Sequence, residues 1–396
     1  MNRLPRITVT CAGRIPSVEI AAIIPLAQLQ KQGLCEFRYK DETFLSATDI
    51  AWCDILLVVR GASSQALWAA RQAKKLHRIV LGYWDDDFLC VPGYLPTSRY
   101  YSSPEVRSSM SALFKLTNAF FSPNPKLAAK LSDIHGTKVE VLPVVLGTDH
   151  LEPPRRKSPA IPVLGYAGNL GHTFWLNSFL PPVLEAVAST GSDFRIHIVG
   201  AKPDLAGKLK AKTTYTPQIE DYYAYLAFAS KLDWDIGLAP QHESEHTTYK
   251  FYNKLLEYTH IGCAGIYTKI EPYVGVIEDG VTGLLVPNEV AAWRDAILRL
   301  LAAPDLRFRI ASNACEFVRS HHSWAVVAER YSAALAPFLE YRAPHVSKLY
   351  TVANDLAGRP LRFWQMLRHY MKGYGFRYVL GPARRYALSL LHQRRS

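Results

Sequence analysis

The chain has 396 residues, 49% of them apolar and 20% charged. That balance excludes a disordered protein and gives enough length for two hydrophobic cores. The formal net charge is +12, yet residues 343–396 hold ten Lys and Arg and a single acid, Asp355, so this segment alone carries +9.

The elements alternate along the chain. Strand patterns stand at RITVTCA, CEFRYK, DILLVVR, RIVLGYW, AFFSPN and KVEVLPVVL, with helical patterns between them that include SVEIAAIIPLAQLQKQ and SQALWAARQAKKLH. Alternating strand and helix predicts parallel sheets covered by helices. GTDHLEPPRRKSPAIP, Gly147 to Pro162, combines prolines and charge without an apolar period and reads as an interdomain linker. A second series follows, with strands at VLGYAG, FRIHIVG and WDIGLAP. The longest apolar stretch, IAAIIPLAQL, is half the length that crosses a bilayer and contains a proline. The six cysteines are scattered without a CxxC spacing, and the N-terminus enters a strand without a signal-peptide apolar region. A cytosolic location with reduced thiols is therefore expected.

Three segments carry chemistry. KFYNKLLEYTHIG places Lys250, Lys254 and Glu257 at i, i+4 and i+7, which on one helix is a single face. The helix follows the strand WDIGLAP, so it is expected at the carboxyl edge of a parallel sheet, where open α/β sheets bind ligands. Two cations and one acid there suit a diphosphate with a sugar hydroxyl beside it. GYAGNLGHTFW follows a buried strand and precedes a helix, and its Gly168, Asn169 and Gly171 form a loop fit for close approach to a phosphate. Asp85, Asp86 and Asp87 follow a strand in Tyr83 to Phe88; three adjacent carboxylates repel one another unless something compensates them. HESEH, His242 to His246, spells HExxH, but Pro240 and polar neighbours place it in a loop, which excludes the two-histidine helix of a zinc protease.

The run Lys250-x3-Lys254-x2-Glu257-Tyr258-x3-Gly262 resembles the donor-site helix of GT-B glycosyltransferases, and of retaining family 4 in particular. EDGVTGLLVP resembles that family's hairpin after the donor helix. The helical stretch EVAAWRDAILRLLAAPDLRFRIASNA and the helix opened by His322-Ser323-Trp324 continue the series, which runs from Val163 to about Tyr341.

The resemblance implies an α/β chain of two Rossmann-like, doubly wound domains facing a cleft. Residues 1–150 would form the acceptor domain, 151–342 the nucleotide-sugar donor domain, and 343–396 a basic, helical extension. It implies a hexosyltransferase-type enzyme that moves a sugar, with retention and without a metal, from a UDP- or GDP-type nucleotide sugar to a glycan or lipid-linked acceptor in bacterial surface polysaccharide synthesis, lipopolysaccharide included. No cofactor beyond the donor is implied.

Carried over residue by residue, Lys254 and Glu257 are the expected catalytic residues, and Gly168, Asn169, His172, Lys250, Lys254 and Glu257 bind the donor. Tyr215 to Glu220 would form the base-binding edge. Many family members carry Arg and Lys in the glycine loop; here Asn169 and His172 stand instead, and Tyr249 occupies the place of the family's first paired glutamate. That loss leaves open an inactive GT-B scaffold in an assembly complex. Gly13, Asp85, Asp86 and Asp87 belong to the acceptor side, with Asp87 as a catalytic candidate that polarises the incoming hydroxyl. Asp85-x-Asp87 also has the form of the metal-binding DxD of GT-A enzymes, although the donor motifs lie in the other half of the chain; a helix N-cap cluster is the plainer alternative.

The tail interleaves its bases with Tyr350, Phe363, Trp364, Tyr370, Tyr374, Phe376, Tyr378 and Tyr386. Such a segment suits an anionic membrane surface, making the protein peripheral on the inner face of the cell membrane. Packing on the body and polyanion binding are the alternatives; no nucleic-acid partner is expected.

Overall fold

The computed structural model describes residues 3–95, 97–136, 138–149, 151–155, 161–347, 351 and 355. The chain forms two compact units, Met1–Val145 with Trp324–Ser396, and Leu146–Ser323. Among the described residues no helix is long and apolar enough to cross a membrane.

The first unit runs β1 (Arg6–Cys11), α1 (Pro16–Val18), a π-turn (Glu19–Ile23), α2 (Ile24–Lys31), β2 (Glu36–Asp41), α3 (Ala47–Trp52), β3 (Ile55–Val59), α4 (Ser64–Lys75), β4 (Ile79–Tyr83), α5 (Ser98–Ser102), α6 (Pro104–Leu116), β5 (Ala119–Ser122), α7 (Pro125–His135) and β6 (Val139–Val141). Its parallel sheet has the order β2-β1-β3-β4-β5-β6. All five residues of β3, ILLVV, are buried, as expected of a strand covered on both faces. Strand order reverses between β1 and β3, and the loops leaving those two strands hold Gly13 and Arg60.

The expected helix over Ser17–Gln32 is one helical path with a widened turn, in which the Ile24 amide donates to Glu19 O. Pro25 explains the widening: it has no N–H for the Ala21 carbonyl, and its ring crowds that oxygen. The Tyr331 hydroxyl donates to Ala21 O instead.

The second unit runs β7 (Val163–Gly168), a 3₁₀ turn (Leu170–His172), α8 (Thr173–Ala188), β8 (Arg195–Gly200), α9 (Gly207–Ala211), β9 (Thr213–Thr216), α10 (Tyr222–Ala229), β10 (Ile236–Ala239), α11 (Glu245–Thr248), α12 (Asn253–Ile261), β11 (Ala264–Thr268), β12 (Leu284–Val286), α13 (Val290–Ala302) and α14 (Pro304–His322). This sheet is also parallel, with the order β12-β11-β10-β7-β8-β9, so its topological switch lies between β7 and β10. A core of β7, α8, β8, β10, β11 and α13 side chains includes Leu176, Phe194, Trp293 and Ile297, all fully buried. Gly165 of β7 is required by packing: a Cβ there would lie 1.9 Å from the Trp234 indole.

The chain returns to the first unit with α15 (Trp324–Leu339). The second unit was expected to reach residue 342, and the structure ends it at Ser323. Besides the Tyr331 bond, Lys31 Nζ lies 5.9 Å from the Trp324 ring centroid, Tyr341 donates to His77 O, and the Ala343 amide donates to Asp54 Oδ1 at 2.7 Å. EDGVTGLLVP is likewise not a hairpin. Glu278–Gly283 turns and leads into β12, which pairs parallel with β11.

The proposed tail lies almost wholly outside the described residues. Of its members, Asp355 is placed: it accepts from the Ala47 amide at 2.6 Å and from the Thr48 hydroxyl at 2.9 Å, at the start of α3. Five of the six cysteine thiols are buried and Cys90 is half-buried.

Candidate functional site

In the second unit, both segments that border the switch carry expected site residues. Gly168 ends β7, and its carbonyl accepts from Ala201 N at 2.6 Å. Asn169 Oδ1 accepts the Gly171 amide at 2.9 Å, so the loop fixes its own turn. His172 is held by its neighbour on β7: Tyr166 Oη lies 3.0 Å from His172 Nδ1. The α8 helix then starts directly after the 3₁₀ turn, without a side-chain cap from its N-cap residue His172. The segment after β10 is tied to the neighbouring strand ends: Gln241 N donates to Thr268 Oγ1 at 2.9 Å, Thr268 Oγ1 to Asn288 Oδ1 at 3.0 Å, and Asn288 Nδ2 to Gln241 O at 2.9 Å.

Lys254 and Glu257 share one face of α12 as the spacing predicts, with Nζ 2.5 Å from Oε2 and side chains 19% and 27% exposed. Lys250 does not join them. Ser244 and Thr247 close a capping box on α11, Tyr252 has ψ 47°, and α12 starts only at Asn253. Phe251 and Tyr252 stack at 3.9 Å, and the Tyr252 hydroxyl lies 3.1 Å from His322 Nε2 on α14. These contacts break the helix that spacing alone would run through Lys250. His242 stays in the loop and His246 is buried on α11, so the HExxH letters do not share a helix face.

Glu257 also has a tyrosine partner that the sequence did not single out. The Tyr225 hydroxyl, from α10, donates to Oε2 at 3.4 Å. Burial, and then the charge of Glu257, raise the pKa values of Tyr166, Tyr225 and Tyr273, so these phenols stay protonated. Tyr166 also contacts His172 of the glycine loop. Tyr215 lies on the edge strand β9 with its hydroxyl donating to Pro203 O at 3.1 Å.

In the first unit, the three acids are compensated, each by a basic partner. Arg60 occupies a left-handed backbone conformation, φ 54°, just past β3. Its guanidinium lies 3.4 Å from Asp85 and 3.4 Å from Asp86, donates to Ser17 Oγ at 2.9 Å, and covers the Phe88 ring. Burial disfavours the Arg60 charge, but the carboxylates outweigh it and hold its pKa above the usual value.

Asp87 is 0% exposed and accepts from Lys130 Nζ at 2.6 Å, from the Leu89 amide at 2.8 Å and from Cys90 Sγ at 3.1 Å. A carboxylate so engaged anchors the turn after β4 and is not an exposed base. Gly13, with φ 90°, turns the chain after β1.

Residues 161–303 match the family model described as Glycosyl transferases group 1. Solved structures match across nearly the whole chain. Anabaena HepE, solved with UDP and glucose, superposes with a TM-score of 0.60 at 13% identity, covering 84% of this chain and 100% of its own. The fold is GT-B. A glycosyltransferase from Rickettsia africae gives 0.57 at 15% identity over 86% and 100%, and the sucrose-phosphate synthase of Thermosynechococcus elongatus gives 0.58 at 12% over 85% and 99%. No curated protein matches the chain. The family match falls on the half of this GT-B chain that holds the glycine loop and α12.

Proposed function

We propose that the protein is a glycosyltransferase whose second unit binds a nucleoside diphosphate sugar. The observation that carries this reading is the Lys254–Glu257 pair on α12, in the same unit as the glycine loop that leaves β7 at the β7/β10 switch. The uncapped start of α8 and Lys254 take the diphosphate, His172 assists, and Glu257 takes ribose hydroxyls. Gly168 and Asn169 shape the loop; Lys250 contributes from the bend before α12, not from its face.

Transfer then needs charge stabilisation on the departing diphosphate and alignment of the incoming hydroxyl. The match of residues 161–303 to the group 1 glycosyl transferases supports transfer as the activity. Retention of configuration, independence of a metal, a UDP- or GDP-type donor, and a glycan or lipid-linked acceptor for surface polysaccharide complete the reading. In the first unit, Gly13, Asp85 and Asp86 serve the acceptor, and the basic tail holds the enzyme to an anionic membrane.

Losing a charge-assisted hydrogen bond costs about 1.5–3 kcal/mol, or about 10- to 150-fold in affinity. Lys254→Ala should therefore weaken binding of UDP or GDP, measured by calorimetry, by about that factor, and Lys250→Ala by less. Equal affinity of wild type and Lys254→Ala would overturn the assignment of the diphosphate to α12.

A further inference from the structure

Among the described residues two donors reach Glu257, and both use the same oxygen. Lys254 Nζ lies 2.5 Å from Oε2, and the Tyr225 hydroxyl donates to Oε2 at 3.4 Å. Tyr225 is delivered by α10, which is fastened to α12 by a second bond, His260 Nε2 to the Leu226 carbonyl at 3.1 Å. A carbonyl only accepts, so His260 carries its proton on Nε2 there. Burial, then the charge of Glu257, keep the Tyr225 pKa well above its usual value, so the phenol keeps its proton and acts as a donor.

We propose that Tyr225 is a positioning residue for donor binding: with Lys254 it pins Oε2 of Glu257, which leaves Oε1 to receive the ribose hydroxyls of a nucleoside diphosphate. The assignment rests on the donor reading above. It has a particular consequence once the nucleotide is bound. A diphosphate competes with Glu257 for Lys254, and as the ammonium turns toward phosphate, Tyr225 becomes the remaining anchor of Oε2. The 3.4 Å contact is long for a hydroxyl–carboxylate bond and should tighten in that state, as hydrogen bonds at ligand sites commonly do on binding. Tyr225 thus acts through Glu257 and need not touch the nucleotide.

The test compares affinities for UDP and GDP with those for their 2′,3′-dideoxy counterparts, by calorimetry on the full chain, for wild type, Tyr225→Phe and Glu257→Gln. Wild type should prefer the ribose form of its nucleotide by about 10-fold or more. Tyr225→Phe keeps the ring and should cut that preference by about fivefold, toward the value for Glu257→Gln, while dideoxy binding stays near wild type. If Tyr225 were only a packing residue, both forms would weaken together and the preference would be unchanged, which overturns the assignment and leaves the donor reading intact. A wild-type chain that binds none of the four nucleotides would sink the donor reading itself.

Discussion

His197 offers a test of how the second unit holds its switch-point strands. It lies on β8, and Trp234, just before β10, donates its indole N–H to Nδ1 at 3.1 Å, while Nε2 lies 2.9 Å from Thr216 Oγ1 on β9. An indole N–H cannot accept, so Nδ1 must be unprotonated, with the ring proton on Nε2 donating to Thr216. A second proton would set N–H against N–H beneath Gly165, and burial already holds the His197 pKa below its usual value.

Because the folded pKa lies below the unfolded value of about 6.5, the unfolded chain takes up the proton first on acidification. The stabilisation is complete above about pH 6.5 and is lost as pH falls toward the folded pKa, at no more than about 1.4 kcal/mol per pH unit. The geometry limits the total to about 1–3 kcal/mol, the cost of one buried N–H left without an acceptor. Partial exposure of the ring places it at the lower end.

His197→Gln supplies an amide oxygen for Trp234 and an amide N–H for Thr216 without titrating. Thermal unfolding of both proteins from pH 8 to 5 should give a constant difference in Tm above pH 7. Below about 6.5, wild type should lose about 2–4 °C relative to the glutamine variant. Parallel curves over the whole range would refute the tautomer assignment.

Lys130→Met strands the buried Asp87 carboxylate and should destabilise the first unit by about 3–5 kcal/mol. Adding Asp87→Asn should recover most of that in urea titrations, and no recovery would mean that Lys130 acts mainly through its packing. Removing residues 356–396 leaves the Asp355 contacts with α3 and should abolish co-sedimentation with vesicles containing phosphatidylserine while nucleotide affinity is unchanged. Persistent sedimentation would place the membrane surface on another part of the chain.

Parallel sheets write themselves plainly into a sequence, because strands covered on both faces are apolar throughout. ILLVV of β3 and IGLA of β10 are legible for that reason. The edge strand β9, TTYT, is short and half-exposed and gives no such run. The start of α12 was illegible for a different reason: between Thr248 and Asn253 the Tyr252 hydroxyl bonds to His322, 70 residues away in the chain. Local spacing cannot report a tertiary contact, so it shows the shared face of Lys254 and Glu257 but not the interruption that separates Lys250 from it.

The acids show the same limit. Asp85, Asp86 and Asp87 stand out as a triplet, but their compensation comes from far along the chain: Arg60 lies 26 residues from Asp86, and Lys130 lies 43 from Asp87. Tyr166 and Tyr225 escape sequence reading because a tyrosine in an apolar run looks like core. Only the positions of His172 and Glu257 give those hydroxyls their partners.

The central claim, a nucleoside diphosphate site in the second unit, is tested most directly by thermal unfolding of the wild-type chain with UDP, GDP, ADP, CMP and dTDP. A ligand at about one hundred times its Kd adds roughly 2.7 kcal/mol to the unit that binds it. The account predicts that one diphosphate, UDP or GDP, raises Tm selectively and that Lys254→Ala removes most of the shift. Unchanged Tm values with all five would contradict it and favour a GT-B scaffold that binds no donor.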